Sequence, residues 1–155
     1  MNQTMKIIRE VNYQAELFYN DAVSMGDHAA SALGKERRAQ MTSLENIAES
    51  TLKSTDVFDF IKKQIARHDH WRKPSSHHTD PRQGFGERLR LYLEQELPSK
   101  ITPICEAAEV GDEEQRLRRE IYLQLIRQFI RQVVVQYEYR VNPVNSDKNT
   151  QERKS

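Results

Sequence analysis

The sequence predicts an all-α protein, with a single-domain bundle of about five helices over residues 1–141 and a disordered tail at 142–155. A chain of 155 residues is long enough to bury a core without disulfides or a structural metal. Only 5 glycines and 5 prolines occur, so long helices can run without interruption. Apolar residues recur every third or fourth position along most of the chain, which is the period of helices that bury one face.

The first two helices are predicted from two apolar patterns separated at Gly26. The first pattern consists of Ile8, Val11, Ala15, Phe18, Ala22 and Met25. Gly26 interrupts it, and Asp27 can accept a backbone N–H as an N-cap, so the second helix is expected to begin there. The second pattern, in which Gly34 marks a bend, consists of Leu33, Met41, Leu44, Ala48 and Leu52.

The third helix is predicted to follow the capping residues Ser54, Thr55 and Asp56. Its apolar positions are Val57, Phe58, Ile61 and Ile65, followed by His68. It should end near Trp71, because Pro74 disfavours helix in the residue before it. The segment from Lys73 to Gly84 is rich in Pro, Ser and His and is predicted to be a loop.

A fourth helix and a short fifth segment are predicted between this loop and Gly111. The fourth carries Leu89, Tyr92, Leu93 and Leu97. It should stop before Pro98, and Thr102 and Pro103 have the types expected of an N-cap and a first helical position.

The final helix is predicted to be the longest and to form the centre of the core. Asp112 and Gln115 have the spacing of a capping box at its start. Its buried stripe is Leu117, Ile121, Leu125, Phe129, Val133 and Tyr137. The valines at 133–135 favour strand by propensity, but the helical period continues through them, and pattern outweighs propensity.

The cysteine content and the hydropathy pattern predict a cytoplasmic, soluble protein. Cys105 is the only cysteine, so no internal disulfide can form, and we expect it to act as a small buried apolar group. Nowhere do about 20 apolar residues follow one another, and residues 1–16 carry charges every few positions. We therefore expect no membrane partner.

Charge is nearly balanced over the whole chain, with 24 basic and 23 acidic residues, but it is unevenly distributed. Between Lys62 and Arg90 there are eight basic residues against three acidic ones. This first basic group comprises Lys62, Lys63, Arg67, Trp71, Arg72, Lys73, Arg82, Arg88 and Arg90. Its cations suit phosphates and its tryptophan suits stacking on a base, which is typical of nucleic-acid binding.

A second basic group lies on the final helix and comprises Arg116, Arg119, Arg127 and Arg131. Glutamines surround it, and few acids interrupt it. Both groups can also be read as ordinary solvated faces, since most exposed helix faces are charged. The intervening segment 91–114 holds seven acids and one lysine, which suits contact with a basic face of another protein.

Histidines and acids cluster in the first basic group without the spacing of a metal site. The candidate ligands are His68, Asp69, His70, His77, His78 and Asp80. On a helix, His68 and His70 would lie about 200° apart, so both cannot face one metal. His68 and Asp69 also form the HD dipeptide of metal phosphohydrolases, but the further ligands are missing. We expect no metal and no other cofactor.

Arg72 followed by His77 and His78 resembles the Arg–His motif of HEPN ribonucleases, which are also small helical bundles. The resemblance implies that the arginine and one histidine act on an RNA phosphodiester with the 2′-hydroxyl as nucleophile. The sequence departs from the family at residues 74–76, where Pro-Ser-Ser places the segment in a loop, whereas the family's motif borders a helix.

The segment from Arg119 to Arg131 is an apolar helix punctuated by arginine. Together with the basic stretch from Lys62, it resembles the small helical subunits of CRISPR effector complexes in general pattern. The resemblance implies a protein that repeats along a complex and helps to hold guide RNA and target DNA by backbone contacts, without chemistry of its own.

The sequence therefore supports three hypotheses. The first is a non-enzymatic helical subunit that binds the backbone of RNA or single-stranded DNA beside other protein subunits or further copies of itself. The second is a helical adaptor or homo-oligomer that binds protein and no nucleic acid. The third is a HEPN-like, metal-independent ribonuclease.

Overall fold

The computed structural model describes residues 1–75 and 83–142. Its α-helices are α1 (Gln3–Leu17), α2 (Tyr19–Leu33), α3 (Arg38–Ser50), α4 (Ser54–Arg67), α5 (Phe85–Leu91), α6 (Ile101–Ala108) and α7 (Gln115–Val141). The described ranges hold no strand, only an isolated bridge between Pro74 and Gly84. The all-α prediction is confirmed. The predicted tail lies outside these ranges, except for Asn142, which ends α7.

Helix α7 is the centre of the core, as predicted. It contacts α1, α2, α3, α4 and α6. Five of the six predicted stripe positions are buried, and Leu117 is partly buried. Leu123, Ile126, Ile130 and Val134 are buried as well, so α7 is covered on more than one side.

The predicted break between the first two helices at Gly26 is wrong. The break lies at Phe18, and α2 continues through Gly26, which is buried against α7. A Cβ at Gly26 would lie 2.5 Å from Cβ of Gln136 and 2.7 Å from the Val133 carbonyl oxygen. The glycine thus permits close approach of two helices and does not end one. Asp27 accepts hydrogen bonds from Gln136 (2.7 Å) and Arg140 (2.8 Å) across the crossing, and it is not an N-cap.

The predicted second helix is divided in two at Gly34. Gly34 has a φ of 66°, which favours glycine, and a short 3-10 turn leads from it into α3. The Tyr137 hydroxyl of α7 donates to the Gly34 carbonyl at 2.5 Å, which ties this turn to the core.

Two of the predicted core positions are at the surface. Leu52 is 90% exposed in the α3–α4 connection, and Ile8 is 44% exposed. The core position of α1 is taken by the neighbouring Ile7. The other positions predicted for these helices, from Val11 to Ala48, are buried.

The chain from Phe85 to Ala108 stays helical past Pro98, where we expected a stop. A π-helical turn (Tyr92–Glu96) and a 3-10 turn (Leu97–Lys100) join α5 to α6. Pro98 lies in the first turn of the 3-10 segment, where its missing N–H costs no hydrogen bond. Helix α6 begins at Ile101, so Thr102 lies inside it and is not its cap.

The capping box predicted at the start of α7 does not form. The Glu114 carboxylate accepts the Gly111 N–H at 2.9 Å, and the Gln115 side chain donates to the Asp112 carbonyl at 2.5 Å. The helix nevertheless begins at Gln115, where the polar residues give way to the apolar stripe.

Cys105 is buried in α6, as predicted, and burial raises the pKa of its thiol. Within residues 1–75 and 83–142, none of the helices has the length and apolar character needed to cross a bilayer.

Glu109 ends α6 in the left-handed conformation, with a φ of 59°. Glu109→Gly is expected to raise the free energy of unfolding by about 0.5 to 1 kcal/mol, because a residue with a Cβ is strained there. The substitution also removes an ion pair with Lys6, but that pair is exposed and spans 4.0 Å, so it should contribute little. Urea unfolding followed by circular dichroism would measure the change. Glu109→Gln keeps the strain and removes the charge, and an equal gain in that variant would contradict the backbone explanation.

Candidate nucleic-acid interface

Helix α4 and the turn after it present most of the free cations of the first basic group. Lys62, Lys63 and Arg67 are exposed on α4, and Lys73 is exposed beyond it. None of these four forms an ion pair with an acid in the described part of the chain. Their charges are therefore available to an anionic partner. Arg82 lies outside the described residues.

Trp71 does not belong to this surface, contrary to our expectation. Its side chain is fully buried, and its ring lies 5.1 Å from Phe85 and 6.4 Å from Phe60 between centroids. Its indole N–H donates to Gln40 at 2.7 Å. The ring therefore anchors the turn after α4 to the core and is not available to stack on a base. The sequence around Trp71 is basic and does not show that its ring is buried.

Three arginines of the first group are bound within the protein. Arg72 donates to the Ile65 carbonyl at 2.7 Å and pairs with Asp69. Arg90 pairs with Glu87 and Glu94. Hydrogen bonding to Arg90 lowers the pKa of the Glu87 carboxyl, so this pair is ionised at neutral pH.

Arg88 is the third, and it belongs to a network that joins α2 to α5. It donates to the Ser24 hydroxyl at 2.8 Å and lies 3.2 Å from Nδ1 of the buried His28. An arginine can only donate, so Nδ1 accepts and Nε2 of His28 donates to the Lys73 carbonyl at 2.9 Å. Burial lowers the pKa of Arg88. Arg88 therefore links α5 to α2, and His28 links α2 to Lys73.

The second basic group also contains both arginines that are bound within the protein and arginines that are free. Arg127 donates through Nε to the Ala48 carbonyl (2.9 Å) and through Nη2 to the Thr51 carbonyl (2.7 Å). It thereby satisfies carbonyls at the C-terminus of α3. Arg131 pairs with Glu49 at 2.6 Å. Both hold α3 to α7, so they are not the freely replaceable phosphate contacts that the sequence predicted.

Arg116 and Arg119 are exposed near the start of α7 and form no ion pair with a described acid. They line a cavity of about 820 Å³. On the α7 side the cavity is lined by Arg116, Arg119, Glu120, Leu123, Gln124 and Arg127. On the other side it is lined by Leu52, Lys53, Ser54 and Thr55. The cavity thus combines four cations with two leucines and several hydrogen-bonding groups.

The side of the cavity next to α4 is held by Thr51. The Thr51 hydroxyl accepts the Lys53 N–H at 3.0 Å and bonds to the Asp56 carboxylate at 2.6 Å. This bond from Thr51 lowers the pKa of the Asp56 carboxyl. We expected Ser54 to Asp56 to cap α4, but the N-cap position is Lys53 and no side-chain capping hydrogen bond forms there.

Helix α4 connects the cavity to the free lysines. Thr55 lines the cavity, and Lys62 follows seven residues later on the same side of the helix, roughly 10 Å away at 1.5 Å per residue. Asp59 is exposed between them. The free cations of the two groups therefore lie beside the start of one short helix and in its second half.

The candidate metal ligands do not converge where the structure describes them. Within residues 1–75 and 83–142 no three side chains of His, Cys, Asp or Glu come together to hold an ion. Desolvation and the charges of Arg37 and Lys73 lower the pKa of His70. His77, His78 and Asp80 lie outside the described residues, and with them the histidine half of the HEPN-like motif.

Comparison with family models, with curated proteins and with solved structures finds no significant match to this chain. Its function is therefore inferred from the geometry and charge of its own residues.

Proposed function

We propose that the protein binds the phosphate backbone of RNA or single-stranded DNA and acts without chemistry of its own. The observation that supports this most is the distribution of cations that lack an acidic partner in the described chain. Six of them lie on or near α4, with Arg116 and Arg119 at the cavity beside its start and the four from Lys62 to Lys73 in its second half and beyond it. The other described arginines pair with carboxylates or bind carbonyls, except Arg88, which binds Ser24 and His28. Unpaired cations on and beside one helix suit a polyanion.

The assembly in which we place this subunit is a ribonucleoprotein complex of the CRISPR effector type, on the basis of the pattern noted in the sequence. Residues exposed on α1 support contacts with further protein. Met5, Ile8, Tyr13 and Leu17 are between 44% and 59% exposed there. The same observation favours the second candidate function, a protein adaptor that binds no nucleic acid.

Arg116→Ala with Arg119→Ala is expected to weaken binding to a single-stranded oligonucleotide by ten-fold or more. The slope of log affinity against log salt should fall by roughly one unit for each phosphate that is no longer bound, because fewer counterions are released. Fluorescence anisotropy at several salt concentrations, with RNA and DNA of the same sequence, would measure both quantities.

The control is a double variant, Arg9→Ala with Lys35→Ala, which removes two exposed cations that do not line the cavity, one of them paired with Glu10. It should retain the wild-type slope. An unchanged slope in the Arg116 and Arg119 variant would reject this surface. Failure of the wild-type protein to bind any oligonucleotide at low salt would reject nucleic-acid binding and favour the adaptor, and cleavage of the RNA would favour the ribonuclease.

A further inference from the structure

The cavity between the start of α4 and α7 is larger than a phosphate needs. Its volume of about 820 Å³ falls within the range of roughly 300 to 1,000 Å³ that is usual for cavities holding small organic ligands. Four residues of its α7 wall, Arg116, Glu120, Leu123 and Arg127, follow one another at helical spacing along a stripe roughly 16 Å long at 1.5 Å per residue. Cations therefore stand at both ends of the stripe, with an apolar side chain between them.

The lining is not uniformly cationic, and this restricts the ligand. Glu120 places a carboxylate between the arginines, which would repel a ligand that is anionic throughout. Gln124 adds an amide that can both donate and accept. The lining suits a ligand with an anionic part for the arginines and a neutral part with hydrogen-bonding edges for the rest.

Leu52 supplies an apolar surface in a fixed position. A single exposed leucine is common on proteins, but this one stands at the edge of a cationic cavity and is 90% exposed. Thr51, the residue before it, is fixed by two hydrogen bonds. Arg127 donates to the Thr51 carbonyl, and the Thr51 side chain accepts the Lys53 N–H. Leu52 is thus presented without a large loss of conformational freedom on binding.

We propose that this cavity receives one unpaired nucleotide of the bound strand, including its base. The phosphate lies against Arg116 and Arg119, and the base lies against Leu52 and Leu123. This inference rests on the proposed function and specifies its substrate, because bases held in a duplex cannot enter the cavity, whereas those of a single strand can be turned outward. Contact with leucine does not distinguish one base from another, and the Gln124 amide can either donate to or accept from a base edge, so binding remains independent of sequence.

The test measures the affinity of the full chain for three probes of equal length. They are a single strand, the same strand with abasic residues throughout, and a duplex. The intact single strand is expected to bind roughly ten-fold more tightly than the other two, since only an unpaired base can contact the two leucines of the cavity. Leu52→Ala should lower affinity for the intact strand roughly five- to ten-fold, and leave affinity for the abasic strand and the salt slope unchanged.

Tyr139→Ala is the matched control, because Tyr139 is 68% exposed on α7 but does not line the cavity. It should bind all three probes as the wild type does, and both variants should melt at the wild-type temperature. Equal binding of intact and abasic strands, or no effect of Leu52→Ala, would overturn the nucleotide site and leave backbone binding standing. Failure of all three probes to bind would overturn the proposed function as well.

Discussion

Phe129→Ala is expected to lower the free energy of unfolding by about 3 to 5 kcal/mol, which is a large part of the total for a domain of this size. The Phe129 side chain is fully buried in α7. Its ring meets Phe18 edge-on at 5.4 Å and stacks on Tyr92 at 4.3 Å, measured between centroids. One ring therefore holds α7 to the junction of α1 and α2 and to the segment after α5. Removing the ring leaves a cavity, and three elements would have to move to fill it.

Urea unfolding followed by circular dichroism would measure the loss. Val135→Ala is the control, because Val135 lies on the same helix and is 62% exposed. It should change stability by no more than about 0.5 kcal/mol. A loss below about 1 kcal/mol in the Phe129 variant would show that these contacts rearrange easily and that α7 is not the centre of a tightly packed core.

Gly26→Ala is expected to destabilise the protein by about 1 to 3 kcal/mol, although alanine is the better helix former. The added methyl group would overlap Cβ of Gln136 and the carbonyl oxygen of Val133. Neither atom can swing away, since one is fixed to the backbone and the other belongs to it. Helices α2 and α7 would have to separate, which would also stretch the bonds from Gln136 and Arg140 to Asp27.

Thermal unfolding would measure this change, with Ser31→Ala as the control. Ser31 is exposed on the same helix, so alanine there should leave the melting temperature unchanged or raise it slightly. If Gly26→Ala also raised the melting temperature, the close approach of α2 and α7 would not be needed for stability.

The helical frame was predictable because the information for it is local. The stripe on α7 and the stripe from Val11 to Met25 record which side of each helix is buried, whatever lies against it. Gly26 was misread because sequence shows a glycine without showing whether another helix passes over it. Ile8 was predicted to be buried in place of Ile7, because neighbouring apolar residues fit a short pattern almost equally well.

The candidate site was only half predictable, because a cation's role depends on its neighbours in space. Arg116 and Arg127 look alike in the sequence, yet one is free of described acids and the other binds the end of α3. The cavity itself was missed. Its one sequence signal was the spacing of Arg116, Leu123 and Arg127 along a single side of the last helix, where we expected only a polar face.

The bridge between Pro74 and Gly84 joins the turn after α4 to the start of α5. The Phe85 N–H donates to the Lys73 carbonyl at 3.1 Å, and the same carbonyl accepts from His28. A side chain at Gly84 would meet the Arg72 backbone at 2.6 Å, so the two ends of the loop are held close together. The separation of α4 and α5 is therefore set by contacts between residues 72–74 and 84–85, and the end of α4 stays beside the start of α5.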